Sequence, residues 1–330
     1  MFFPNTQLNT RVFENRVEKS PTRKGYGLGL LRAGEENRNV VALSADLTES
    51  THTEGFAKKF PERFFNVGVA EQNMAAIAAG LGVSGKIAFI ASYATFNPGR
   101  NWEQIRTTIA YNNANVKIAG HHAGLFTGAD GATHQAIEDI ATMRVMPNMR
   151  VIVPCDALEA EKATYAAAQI PGPFYLRFSR EATPVLTTRE SGFIPGKAEI
   201  FWTSRKPACL IVGCGPLLYQ ALAAAKKLEK EKINTVVINC HTVKPLDSKT
   251  IIREAKKCGA VVSVEEHQTI GGVGGALSEA LAREWPLPME FIGMPDVFGE
   301  SGLPSELIGK YGLDAESIIK AVKRVVQRKQ

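Results

Sequence analysis

Short, continuous apolar runs alternate along this chain with longer stretches in which apolar positions return every three or four residues. The runs Asn39-Val-Val-Ala-Leu-Ser44, Lys86-Ile-Ala-Phe-Ile-Ala-Ser-Tyr93, Asn115-Val-Lys-Ile-Ala-Gly120, Arg150-Val-Ile-Val153 and Phe174-Tyr-Leu-Arg-Phe-Ser179 predict buried strands. Thr22 to Asn37, Pro98 to Asn113, His134 to Met146 and the segment opened by Asp156-Ala-Leu-Glu159 predict helices, the last with a capping-box-like pair. From Glu181 to Lys206 the periodicity lapses into Thr, Pro, Gly and mixed charge, as in a linker. It then resumes with strands over Ala208–Val212, Thr235–Asn239, Ala260–Val264 and Met289–Gly293, and helices over Pro216–Lys230, Ser248–Cys258 and Gly272–Glu284. Such alternation means mostly parallel sheets with helices on both faces. The expected fold class is therefore α/β with two tandem domains, residues 1–185 and 207–330, and a linker over 186–206.

The stretch Phe64 to Gly82 reads as a strand end, a glycine turn at Gly68 and an Ala-rich helix, with Glu71 in the first helical turn. An acidic residue there complements the helix dipole. Yet no cation stands at its helical partner spacings, where Val67, Gly68, Met74 and Ala75 are found. Bordered by Val69, Ala70 and Met74, the carboxylate is expected to be partly desolvated, which suits proton exchange with a ligand.

Composition narrows the class without naming a function. The 330 residues, 45% apolar and 22% charged, are globular values and suit two domains of about 150 residues each. Cys155, Cys209, Cys214, Cys240 and Cys258 are scattered, with no Cys-x-x-Cys pair, and point to a reducing cytoplasm. The N-terminal Met-Phe-Phe-Pro-Asn-Thr-Gln lacks a basic region followed by an apolar one, and no apolar run approaches bilayer length, so a soluble protein without a membrane role is expected. The formal charge of +6 is spread thinly, which argues against nucleic acid and suits phosphorylated substrates. Its one dense stretch is Lys320 to Gln330; there and just before it Ile318, Ile319, Val322, Val325 and Val326 recur at helical spacing and predict an amphipathic packing helix.

Four glycine-rich or aromatic segments compete for attention. Gly213-Cys-Gly215-Pro fails as a dinucleotide fingerprint, because position 218 is Leu and Asn239 closes the next strand. Gly271-Gly-Val-Gly-Gly275 opens a helix that could approach phosphate or a neighbouring chain. Tyr93 and Phe96 emerge where a strand ends, the edge at which open α/β sheets collect ligands. The loop Gly120 to Gln135 gathers His121, His122 and His134 with Asp130; the spacing matches no standard metal set, and neutral imidazoles in a glycine-rich loop suit a polyhydroxylated ligand.

The segment Val67-Gly-Val-Ala-Glu-Gln-Asn-Met74 resembles the cofactor-activating motif of the transketolase family of thiamine diphosphate enzymes. In that family the Glu hydrogen-bonds N1′ of the aminopyrimidine and promotes loss of the thiazolium C2 proton, so the resemblance makes Glu71 the catalytic carboxylate and leaves the carbon chemistry to the cofactor. Tyr93 and Phe96 are similar to the family's Tyr-x-Thr-Phe segment, which lines the pyrimidine pocket; Arg100, displaced by one extra residue, is carried over to the same pocket. The histidine loop resembles His-Asp-x-x-x-x-Gly-Glu-Asp-Gly-Pro-Thr-His-Gln, which matches His122, Asp130 and His134 to sugar-binding and proton-transfer residues. Ala123 and Ala129 stand where that motif has Asp and Glu, departures expected to bear on donor-sugar preference. Arg23, Ser50 and Arg180 are similar to the family's grip on substrate phosphate, for which an Arg fork is suited, and Asp46 falls in the cofactor or subunit-contact region.

The resemblance covers the pyrimidine-binding and C-terminal domains only. The family's other half binds the diphosphate through Gly-Asp-Gly and a later Asn that hold Mg²⁺, and no Gly-Asp-Gly occurs here. The implied protein is the C-terminal subunit of a split transketolase. It would be active with an N-terminal partner in an α2β2 assembly, use thiamine diphosphate with Mg²⁺ held mainly by the partner, and work on the sugar phosphates of pentose phosphate metabolism. A beta subunit of a 2-oxoacid dehydrogenase, a deoxyxylulose phosphate synthase-like enzyme and a catalytically silent partner-binding chain remain as alternatives.

Overall fold

A computed structural model describes residues 1–14 and 16–329. The first unit carries β1 (Lys19–Ser20), β2 (Val40–Ser44), β3 (Phe64–Asn66), β4 (Ile87–Tyr93), β5 (Val116–His121), β6 (Arg150–Ile152), β7 (Phe174–Arg177) and β8 (Thr183–Pro184). The second carries β9 (Glu199–Trp202), β10 (Cys209–Gly213), β11 (Thr235–Asn239), β12 (Thr242–Lys244), β13 (Val261–Gln268) and β14 (Met289–Met294). The larger sheet runs β12-β6-β7-β5-β4-β2-β3, and every pairing in it is parallel except the edge pair β12–β6. The smaller runs β14-β13-β10-β11-β9, parallel but for β9 against β11.

The continuous apolar runs become the inner strands because both sheet faces are covered. β2 and β5 are buried throughout and β4 is buried up to Tyr93. One cover is a close helix pair, Thr22–Glu36 against Ala157–Gln169. It needs glycine, since a Cβ on Gly25 would stand 1.9 Å from the Ala157 carbonyl oxygen. Asp156 caps the second of these helices by accepting from the Glu159 amide at 2.8 Å, but Glu159 reaches past it to the Cys155 amide at 2.6 Å.

The two units share more than the tandem expectation implies. β12 leaves the second unit to close an edge of the first sheet, and one apolar core runs from Val41, Ile90 and Ile118 through Val151 to Val212, Ile238 and Leu277. The stretch 186–206, expected to be irregular, contains β9, whose Phe201 and Trp202 are buried. The helix expected from His134 begins only at Asp139, because Ala136 bridges Ala123 and its carbonyl accepts from Arg177 at 3.2 Å, which keeps the backbone there out of a helix. The helix expected from Pro98 starts at Trp102 and widens into a π-helical stretch, Ile105–Ala110. The basic tail is a helix, Ala315–Gln327, with Ile318, Ile319, Val322 and Val325 buried; Gln330 lies outside the described residues. Among the described residues no helix is long and apolar enough to cross a membrane.

Candidate active site

Loops at the carboxyl edge of the larger sheet bring most of the candidate residues together, the edge where parallel sheets present ligands. Glu71 follows β3, Tyr93 ends β4, His122 follows β5 and Arg180 follows β7. Arg23 joins from the first turn of the helix Thr22–Glu36.

Asn66 forms the turn before Glu71. Its side-chain oxygen accepts from the amides of Asp46 and Gly68, both at 3.1 Å, and its amide nitrogen donates to Asp46 Oδ1 at 3.1 Å. Gly68 and Asp46 both adopt left-handed backbone, φ 71° and 61°. Asp46 is therefore exposed and tied to this turn, apart from the residues that surround the Glu71 side chain.

The Glu71 side chain is 1% exposed, but its walls are not those expected: Val69 is 72% exposed, and only Met74 of the three flanking residues is buried. Nor is a cation missing. Arg100, 29 residues on, places Nη1 2.6 Å from Oε2, while Ser92 donates to Oε1 at 3.2 Å. Asn101 donates to the Glu71 carbonyl at 3.1 Å and to Asn97 at 3.0 Å, and Asn97 in turn donates to the Ala119 carbonyl at 3.2 Å. Ser92, Asn97 and Asn101 escaped the sequence reading; the spacing of the two asparagines, four apart after a strand end, is the signal that could have found them.

From Arg100 a line of rings crosses the cleft. The Arg100 guanidinium lies 4.5 Å over the Phe96 ring, Phe96 stacks with Tyr93 at 6.1 Å, and Tyr93 stacks with His122 at 4.0 Å. His134 stands edge-on to Phe96 and Tyr93, at 5.5 and 6.1 Å, with Nδ1 bonded to the Thr133 hydroxyl at 2.9 Å. Arg23 Nη1 meets His122 Nε2 at 3.0 Å and donates to the Ser50 carbonyl at 2.9 Å, which places Ser50 in the group by its backbone. Burial, then the charges of Arg23 and Arg180, depress the His122 pKa to about 3, so the imidazole is neutral and accepts from Arg23. Its Nδ1 then carries the hydrogen and has no protein partner.

Arg180 donates to Asp130 Oδ1 at 2.8 Å and to the Thr127 carbonyl at 3.2 Å. Ala123 is buried in a small apolar cluster with Ala94 and Ala136, whereas Ala129 is exposed. The Gly271–Gly275 helix entry is closed to phosphate, because the Glu265 carboxylate already accepts from the amides of Val273 and Gly274, at 2.7 and 2.8 Å.

The arrangement offers three things in sequence: a buried carboxylate, an aromatic platform for a flat ring, and a neutral imidazole beside two guanidiniums for a hydroxylated anion. Among the described residues no group of three or more His, Cys, Asp or Glu could hold a metal ion.

Known proteins share this order of domains. Residues 18–185 match the model of the transketolase pyrimidine binding domain and residues 196–318 that of the transketolase C-terminal domain. A chain named as a transketolase C-terminal section, from Methanocaldococcus jannaschii, is 44% identical over 91% of this chain and 94% of its own length. The 6-deoxy-6-sulfo-D-fructose transketolase subunit SqwH of Clostridium sp. (strain MSTE9) is 36% identical over 96% of this chain and 98% of its own. Mammalian relatives named transketolase or transketolase-like are longer, and the chain spans about half of their length. The solved structure of a split-gene transketolase, an inactive beta4 tetramer, superimposes with a TM-score of 0.88 at 45% identity, covering 94% of this chain and 99% of that one. With both domain models matched in order and relatives of the same extent, the chain belongs to the transketolase family, as a chain built from its pyrimidine-binding and C-terminal domains.

Proposed function

We propose that this chain is the C-terminal subunit of a two-chain transketolase, which transfers a two-carbon ketol unit from a ketose phosphate to an aldose phosphate. The observation that carries the reading is the unbroken line of contacts from Glu71 through Arg100, Phe96, Tyr93 and His122 to Arg23. Thiamine diphosphate, when bound, supplies a carbon nucleophile that no amino-acid side chain offers. The residues present suit its pyrimidine end: a buried carboxylate for a ring nitrogen, beside aromatic faces for the ring. Arg100 neutralises the Glu71 carboxylate, and at 46% exposure it can swing away to release one oxygen. Tyr93 and Phe96 hold the ring in place.

At the other end the His122 Nδ1–H donates to a sugar oxygen, His134 exchanges a proton with a sugar hydroxyl and Asp130 orients the chain of hydroxyls. Burial and then the Arg180 charge weigh against the Arg23 cation, and an anion held by the two guanidiniums, with Ser50 alongside, relieves both. That anion is a phosphate or, as in the name of the clostridial relative, a sulfo group.

Among the described residues no cluster suits Mg²⁺, and the metal and the diphosphate are assigned to an N-terminal partner carrying Gly-Asp-Gly. The helix Glu71–Val83 exposes Ala76, Ile77, Gly80 and Val83, with Phe65 and Val69 beside it; this apolar face with small residues is the docking surface for the partner in an α2β2 assembly. Five free, buried cysteines suit a reducing cytoplasm.

The test is reconstitution. The chain alone and the chain with its partner are given thiamine diphosphate and Mg²⁺; binding is followed by calorimetry, and turnover on a panel of ketose phosphates, a 6-sulfo ketose, and pyruvate with glyceraldehyde 3-phosphate. Turnover of a ketose by the pair alone is expected. Full turnover by the lone chain, or turnover only with pyruvate, overturns the reading.

A further inference from the structure

The loop that carries His122, Asp130 and His134 is not held by its own sheet alone. Its inner turn rests on β13 of the second unit, where the Phe126 amide donates to Glu266 Oε1 at 2.6 Å. Gly124, at φ 71°, lies so close that a Cβ there would stand 2.4 Å from the same oxygen. Glu266 is fixed from behind: its Oε2 lies 3.6 Å from Arg177 Nη1, its carbonyl accepts from Arg177 Nη2 at 2.8 Å, and Arg177 Nε donates to Asp139 at 2.8 Å. All three side chains are buried. The outer turn is clasped by the segment after β14. Gln135 donates to the carbonyls of Gly128 and Glu300, at 3.2 and 2.9 Å, and a Cβ on Gly131 would stand 2.6 Å from Ser301 Oγ.

Taking a carboxylate out of water costs several kcal/mol unless good partners replace the lost hydration, and a seam that only had to join two domains could be apolar. Here the buried acid faces the one loop that gathers the sugar-side residues.

We propose that Glu266 is a positioning residue for substrate binding: by fixing the Phe126 amide it sets the register of the 122–135 loop, and with it the places of His122, Asp130 and His134 opposite Glu71. The second domain thereby acts on sugar recognition without touching the sugar. This deepens the ketol-transfer reading above and rests on it.

Two measurements test it: hydrogen–deuterium exchange of the full chain, and steady-state kinetics of the reconstituted two-chain enzyme. In Glu266→Ala, amides of residues 124–135 exchange faster while those of 71–83 do not. The KM for the ketose phosphate rises by up to roughly tenfold, the upper weight of one ordinary hydrogen bond, and kcat moves less. Glu266→Gln keeps an acceptor at the same place and recovers most of the KM. Gly124→Ala attacks the contact from the loop side, so its effect combines with that of Glu266→Ala less than additively.

Unaltered exchange over 124–135 in Glu266→Ala overturns the proposal. So does faster exchange with an unchanged KM, or a general rise in exchange across the first domain in which Glu266→Gln is as damaging as Ala. If the parent complex transfers no ketol unit, the function proposed above fails, and the exchange arm still decides whether Glu266 holds the loop.

Discussion

Glu71 and Glu266 are equally buried, each with a side chain 1% exposed, and each faces an arginine. They differ in the arginine. Arg177, which faces Glu266, is 3% exposed and also bonds Asp139 and two carbonyls, so nothing can displace it. Arg100, which faces Glu71, is 46% exposed and lies on an aromatic ring at the rim of a cleft. Burial alone therefore does not mark a carboxylate for chemistry. What separates the two sites is the exposure of the cation, which makes the carboxyl edge of the first sheet an open end of a polar chain and the seam between domains a closed one.

The largest effect that would test this contrast lies in the seam. Arg177→Met leaves Asp139 and Glu266 buried without their cation, and chemical denaturation should show a loss of about 3–5 kcal/mol. A loss below about 1 kcal/mol would mean that water reaches the seam and that the contrast is false.

At the open end stability and activity should part. Glu71→Gln should unfold near the parent temperature while turnover of the reconstituted enzyme falls at least about a hundredfold, the scale of a lost acid/base step. Deuterium exchange at the cofactor's C2 position that continued at the parent rate would remove Glu71 from the chemistry. Arg180→Ala should raise KM for phosphorylated sugars by the equivalent of roughly 1.5–3 kcal/mol and hardly affect unphosphorylated ones. Equal losses on both would reduce Arg180 to a support for Asp130.

The gentlest test uses pH. Burial, then Asp156, pushes the Glu159 carboxyl up to about 8, so the folded chain keeps a proton that the unfolded chain releases near its ordinary value. Its contribution to stability is thus complete below the unfolded pKa and lost as pH rises through about 8. Glu159→Gln mimics the protonated form. Against that variant the parent should lose stability by on the order of 1 kcal/mol per pH unit up to about pH 8 and then level off. Parallel curves for the two chains would show that Glu159 is ionised throughout.

The strands were legible because a parallel sheet covered on both faces leaves continuous apolar runs, as in β2 and β5. Glu71, Tyr93, Phe96, His122 and Asp130 could be nominated as candidates because each lies in a contiguous motif at or after a strand end. Arg100's grip on Glu71 was not legible, since it depends on the fold of the intervening β4 turn rather than on helical spacing. Nor was the seam. Val264-Glu-Glu-His-Gln268 reads as a polar strand end, and only the arrival of Arg177 and Phe126 from the other domain, with the amides of Val273 and Gly274, turns Glu265 and Glu266 into buried residues. β9 hid behind Pro195-Gly196, where turn residues outweigh the apolar residues that follow them.

The excursion of β12 into the first sheet limits what can be done with the polypeptide. Residues 1–185 expressed alone would leave the β6 edge with an unpaired row of amides and carbonyls beside an uncovered apolar core, a template for edge-to-edge aggregation. The two halves are thus not interchangeable modules: a chimera that joins this first domain to a foreign second one needs an equivalent of Thr242–Lys244, and the stretch 186–206 is a poor place to cut the chain.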